Sequence, residues 1–111
     1  MHEMTIVANV LEIAHRRAAG AGAARINRVV LEVGRLAGVE PEALRFCFAA
    51  ARGGPSAAAE LEIREVPGRG LCAGCGRTAD VSEPAAVCAA CGAVLDITGG
   101  RELSVLSLNV D

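Results

Sequence analysis

Four of the five cysteines in this chain fall into two pairs of the same spacing, Leu71-Cys72-Ala73-Gly74-Cys75-Gly76 and Val87-Cys88-Ala89-Ala90-Cys91-Gly92. Each Cys-x-x-Cys pair can clasp one edge of a tetrahedral ion. The twelve residues between Cys75 and Cys88 let the halves fold back so that four thiolates meet at one Zn²⁺. Gly76 and Gly92 fit the same picture, because a turn after the second cysteine needs positive φ to aim backbone N–H groups at the sulfurs. Four thiolates leave no open coordination position, so such a site is structural. The segment holds only a handful of bulky apolar residues, among them Leu71, Val81, Val87, Val94 and Ile97. It cannot bury enough surface to fold alone, and metal binding must supply its folding energy.

Two other uses of paired cysteines compete with this one. Disulfides suit a secreted chain, but here a fifth cysteine is left over and no export signal is visible. A redox-active pair normally sits between a strand and a helix, and no helical pattern follows either pair.

The second place where chemistry can concentrate is the chain start, Met1-His2-Glu3. The Met1 amine, the His2 amide nitrogen and the His2 imidazole can close adjacent chelate rings around one ion. Deprotonated amides suit square-planar Ni(II) or Cu(II), and Glu3 or a partner's side chain can complete the plane. From chemistry alone the plainer reading is preferred, with His2 and Glu3 as ordinary terminal residues and Glu3 favouring the start of a helix. Of the other reactive groups, His15 would lie roughly 18 Å along a helix from Glu3, and a structural histidine is expected there. Cys47 falls on an apolar helical stripe, where a thiol acts as a small hydrophobe. No phosphate-binding glycine loop and no Ser-His-Asp set can be assembled, which argues against an enzyme.

Composition narrows the partners. Thirteen acidic and eleven basic residues, with two Phe and no Trp or Tyr, give a net charge of −2 and no platform for stacking bases. That argues against nucleic acid. No apolar run approaches the ~20 residues of a membrane span, and cysteines without an export signal suit a reducing cytoplasm.

The elements that must position these groups are an α+β set. The apolar residues Met4, Val7, Val10, Leu11, Ala14 and Ala18 recur at helical spacing over 4–19, with Ile6 and Ile13 widening the stripe and Gly20 as a left-handed exit. Residues 25–33 alternate as a half-buried strand with Val29, Leu31 and Val33 on one face. Pro41 opens a second helix over 41–52 with Leu44, Cys47, Phe48 and Ala51 on its stripe. Strands follow over 60–66 and 102–110, the latter with Leu106, Leu108 and Val110 alternating. The simplest topology pairs these last two strands in one small mixed sheet, covers one face with the two helices, and lets a four-cysteine, zinc-ribbon-like segment project. In domain terms, 1–66 and 101–111 form an α+β body and 67–100 a zinc-binding one.

The opening Met1-His2-Glu3-Met4 and the run Leu31-Glu32-Val33-Gly34-Arg35-Leu36 through Val39-Glu40-Pro41-Glu42-Ala43-Leu44-Arg45-Phe46 resemble the HypA/HybF family. Leu61-Glu62-Ile63, Val66-Pro67, both Cys-x-x-Cys-Gly knuckles and Gly100-Arg101-Glu102-Leu103 extend that resemblance in the same order to the C-terminus. It implies a nickel metallochaperone of [NiFe]-hydrogenase maturation, with urease served by similar proteins. It also implies nickel at Met1, His2 and Glu3, and structural zinc at Cys72, Cys75, Cys88 and Cys91. The implied partners are a HypB-type GTPase and the hydrogenase large-subunit precursor, or urease maturation factors. The carrier itself would be a monomer or homodimer. One departure is Ala37, where the family often carries a serine that could cap the second helix. The rival readings are a zinc-ribbon docking module for nucleic acid or protein, and a thiol redox switch. Neither explains a histidine beside a free N-terminus.

Overall fold

A computed structural model of the protein describes residues 3–111. Helix α1 (Glu3–Gly20) presents Ile6, Val7, Val10, Leu11, Ala14 and Ala18 as one buried stripe. Met4, expected on that stripe, lies on the half-exposed side, and Ile6 takes its place. The helix runs through Gly20 and stops slightly later than expected, with the left-handed residue at Gly22 (φ 70°). The Ala23 N–H reaches Ala18 O at 2.9 Å and the Gly22 N–H reaches Ala19 O at 3.0 Å. That pair of bonds satisfies carbonyls the last turn would otherwise leave open.

Strand β1 (Ile26–Gly34) is the centre of the first sheet, flanked by β2 (Glu60–Val66) and β6 (Leu103–Val110). It runs parallel to β2 and antiparallel to β6, so the sheet is mixed. The two strands expected to pair with each other therefore share a sheet but lie on opposite sides of β1. The reason is local: β1 is the most apolar strand, with Ile26, Val29, Val30, Leu31 and Val33 all buried, and a central strand satisfies both of its edges. A register shift between Ile26 and Arg28 turns Ile26 onto the face shared by Val29, Leu31 and Val33.

A second shift, between Val30 and Leu31, changes the pairing from Ser107 to Val105. This bulge corrects the reading of the last strand. Leu103, Val105, Leu108 and Val110 pack against the core, while Leu106 is left 44% exposed. Helix α2 (Pro41–Ala51) crosses between the parallel strands β1 and β2 and buries Leu44 and Phe48. Its N-cap is Glu40, whose carboxylate accepts the Glu42 N–H at 3.2 Å. Ala37 instead sits in the turn after β1, its N–H on Gly34 O, so residue 37 is not the cap and its alanine costs the helix nothing there.

Residues 69–99, expected as a projecting loop, form a second three-stranded antiparallel sheet of β3 (Arg69–Cys72), β4 (Thr78–Asp80) and β5 (Leu95–Gly99), in the order β4-β3-β5. Two apolar clusters result, one under α1 and α2 and one around the cysteines. The two sheets stand end to end. The molecule measures 55 × 24 × 16 Å with a radius of gyration of 17.2 Å, against ~13 Å for a single compact body of this length.

Candidate metal centre

The two Cys-x-x-Cys segments fold into near copies of one another. Leu71 pairs with Thr78 and Val87 with Val94, so each knuckle closes a hairpin of the same length. The Cys72 N–H bonds Arg77 O at 2.8 Å and the Cys88 N–H bonds Ala93 O at 2.7 Å. Within each turn a glycine N–H returns to the first cysteine's carbonyl, Gly76 to Cys72 and Gly92 to Cys88, both at 2.8 Å. Those glycines have φ of 74° and 77°, the left-handed region in which a β-carbon is costly. The expected role of both glycines is thus met.

The fold brings all four paired cysteines together, with every Sγ within 4.8 Å of the others. Across the knuckles, Cys72 Sγ lies 3.4 Å from Cys91 Sγ and Cys75 Sγ 3.7 Å from Cys88 Sγ. A tetrahedral ion with metal–sulfur bonds of about 2.3 Å sets its sulfurs about 3.8 Å apart, so the cluster has the dimensions of a tetrathiolate site. Cys72 and Cys88 are buried, Cys75 and Cys91 exposed. Each knuckle contributes one of each kind.

The thiols divide the same way in acidity. The Cys75 backbone N–H, followed by the Cys91 thiol, holds Cys72 below the usual thiol range. The Cys91 and Ala90 backbone N–H groups bring Cys88 down to about 6. The Arg77 N–H favours a thiolate at Cys75, but the Cys72 sulfur and burial outweigh it and push that thiol up to about 11. At Cys91 the Ala93 N–H is likewise outweighed, by the Cys72 and Cys88 sulfurs, and the thiol rises. The first cysteine of each knuckle therefore loses its proton more readily than the second, which gives up its own when a cation arrives.

Outside the cysteine cluster, Glu3 opens α1, and its carboxylate accepts the Glu40 backbone N–H at 3.5 Å. The first residue of α1 is thereby tied to the N-terminus of α2, a contact between distant segments that the sequence does not signal. The Met1 and His2 assignments lie outside the described residues. His15 is half-buried, its Nε2 2.8 Å from Ser56 Oγ, and Ser56 in turn donates to Gly53 O at 2.9 Å. The ring thus braces the turn of 3₁₀ helix at Gly54–Ser56. Cys47 packs against the first core. The expectations for both residues hold.

A family model described as hydrogenase/urease nickel incorporation, metallochaperone, HypA matches residues 1–110. A hydrogenase maturation factor HypA from Chlorobaculum tepidum is 47% identical over 113 aligned positions covering all of both chains. One from Rhodopseudomonas palustris is 44% identical over the same span. Among solved structures, the solution structure of the Ni metallochaperone HypA from Helicobacter pylori superposes with a TM-score of 0.70. It is 24% identical, with 99% of this chain and 97% of that one covered, and at that identity it speaks to the fold alone. The overall fold is thus one this chain shares with that solved structure, and the chain belongs to the HypA family of hydrogenase and urease nickel-incorporation metallochaperones.

Proposed function

We propose that the chain carries its nickel at Met1, His2 and Glu3 while zinc occupies Cys72, Cys75, Cys88 and Cys91 as a fixed structural ion. The observation that supports this division is chemical. Among the described residues the four cysteines are the one group of three or more His, Cys, Asp or Glu side chains that could hold a metal. A cage of four sulfurs is coordinatively closed and suits an ion that stays. A cargo ion needs donors that can be exchanged, and an amine, an amide nitrogen and an imidazole at the chain start supply them. Glu3, the one of the three that the structure describes, offers a carboxylate that accepts the Glu40 N–H.

In this reading the protein is a carrier and not an enzyme. It works in the cytoplasm, where thiols stay reduced. It passes Ni²⁺ toward the precursor of a hydrogenase large subunit in company with a HypB-type GTPase, or toward urease maturation factors. The body 1–66 with 101–111 carries nickel, and 67–100 carries zinc. Both the amine and the imidazole must lose a proton to bind, so nickel affinity falls as pH drops through roughly 6 to 8.

The test is a nickel titration of untagged protein beside His2→Ala and a variant extended ahead of Met1, followed by the absorbance of planar Ni(II). Tight planar binding in the native chain, and its loss in both variants, is the expected result. Equal uptake by all three proteins would refute the assignment.

A further inference from the structure

The two sheets are joined where the chain crosses between them, and each crossing is marked by glycine: Pro67-Gly68 on the way out and Gly99-Gly100 on the way back. Glycine at a linker ordinarily means freedom. Here the geometry says the reverse. A β-carbon on Gly34 would lie 2.0 Å from Gly100 O, one on Gly68 2.0 Å from Val81 O, and one on Gly100 2.7 Å from Gly68 Cα. Three separate segments, the end of β1 and both crossings, thus touch backbone to backbone, and glycine is present because nothing larger fits.

The contact is also hydrogen-bonded. The Gly34 N–H reaches Glu102 O at 2.7 Å, the Arg35 N–H Val66 O at 2.9 Å, and the Leu36 N–H Gly100 O at 2.6 Å. The Gly100 N–H is taken by the Glu102 carboxylate at 2.6 Å. On the far side the Val81 N–H bonds Gly68 O at 2.9 Å.

Leu36 occupies the centre of this seam. Its backbone belongs to the turn that leaves β1, in the first lobe. Its side chain packs against the second lobe's cluster of Cys72, Val81, Cys88 and Leu95. The same side chain fills the hollows left by two of the glycines, with Cδ1 3.0 Å from where a Gly68 β-carbon would stand and 3.3 Å from that of Gly100. It therefore couples a strand of one lobe to the core of the other.

We infer that the glycine seam, keyed by Leu36, fixes the two lobes as one rigid body, so that a partner engaging the first lobe meets the cysteine knuckles at a set distance and orientation. The two crossings do not act as a hinge. Leu36 is the positioning residue, and Gly34, Gly68 and Gly100 are the surfaces it holds together.

Residual dipolar couplings and ¹⁵N relaxation on the zinc-loaded full chain test this directly, with zinc content measured on each sample so that a released lobe is distinguished from an unfolded one. The native protein should fit one alignment tensor and one rotational diffusion tensor over both sheets. Leu36→Ala should keep its zinc and lose the common tensor, each lobe then fitting only its own, and Leu36→Met should restore the native result. Leu36→Val, a smaller truncation, is the same test if the alanine variant fails to hold zinc. Two independent tensors in the native chain, or an undisturbed single tensor in a zinc-loaded truncation, would overturn the inference.

Discussion

Among the described residues, the first lobe buries thirteen apolar ones in one cluster, the second only four, of which two are cysteines. In the first lobe, an amphipathic helix, a crossing helix and a mixed sheet close around Leu31, Leu44 and Phe48, and burial alone suffices. In the second, Val81 and Leu95 are the only buried aliphatic side chains, while Val87 and Val94 stand 57% and 69% exposed. Fewer than forty residues with so little core fall below what an apolar interior can hold together. The same chain thus uses two unlike sources of folding free energy, and perturbations should separate them.

Removing the metal should have the largest effect. With zinc at the four cysteines as proposed, binding contributes about 10–16 kcal/mol of apparent free energy, the largest stabilising contribution open to a lobe with so little core. Treatment with a strong chelator, or Cys88→Ser, is expected to collapse the amide dispersion of residues 69–99 while α1 and the first sheet keep theirs. Simultaneous collapse of both lobes would remove the contrast. The complementary cut is Leu44→Ala, which empties a fully buried position under α2. It should cost about 2–5 kcal/mol in denaturant melts of the first lobe and leave zinc stoichiometry unchanged.

Acid should act on the second lobe selectively. Without metal, Cys75, near 11, and Cys91, also raised, hold their protons at neutral pH, whereas Cys88, near 6, has lost its own. All four must be thiolates in the bound state, so binding releases protons and stability is present at high pH and lost as pH falls. The two protons of Cys75 and Cys91 alone mean at least a hundredfold weaker zinc binding per pH unit near neutrality, steepening below about 6 as Cys88 is protonated as well. Competition with a chromophoric chelator across that range would show it. A pH-independent affinity would contradict the assigned thiol order. The smallest change is Gly22→Ala. The site is open to solvent, but its φ is 70°, so left-handed strain alone should cost about 1 kcal/mol, seen as a small drop in the first lobe's melting midpoint.

How much of this was legible in the sequence follows from the same contrast. Helices α1 and α2 and strands β1 and β2 declared themselves because a buried face imposes a period on a run of residues. The cysteine cage was legible from spacing alone, since ligand geometry is carried by four residues and two glycines. The second sheet was not, because its strands run three to five residues, too short for alternation to register, and metal instead of apolar burial holds them. Leu106 was misplaced because a bulge resets the alternation of β6 at a point no residue type marks. Gly34, Gly68 and Gly100 flank strands, where glycine is ordinary, and their mutual contact is a tertiary fact that local pattern does not encode. Likewise Glu40 directly precedes the Pro41 that marks the start of α2, but its hold on Glu3 depends on how α1 meets α2.

The central claim is the proposal that cargo and staple use different donor sets, nitrogen and oxygen at Met1, His2 and Glu3 against sulfur at the four cysteines. Untagged protein loaded with one equivalent each of zinc and nickel, studied by X-ray absorption at both metal edges, addresses it most directly. The account predicts four sulfur neighbours around zinc and only nitrogen or oxygen around nickel. Sulfur in the nickel shell, or nitrogen replacing sulfur around zinc, would contradict it.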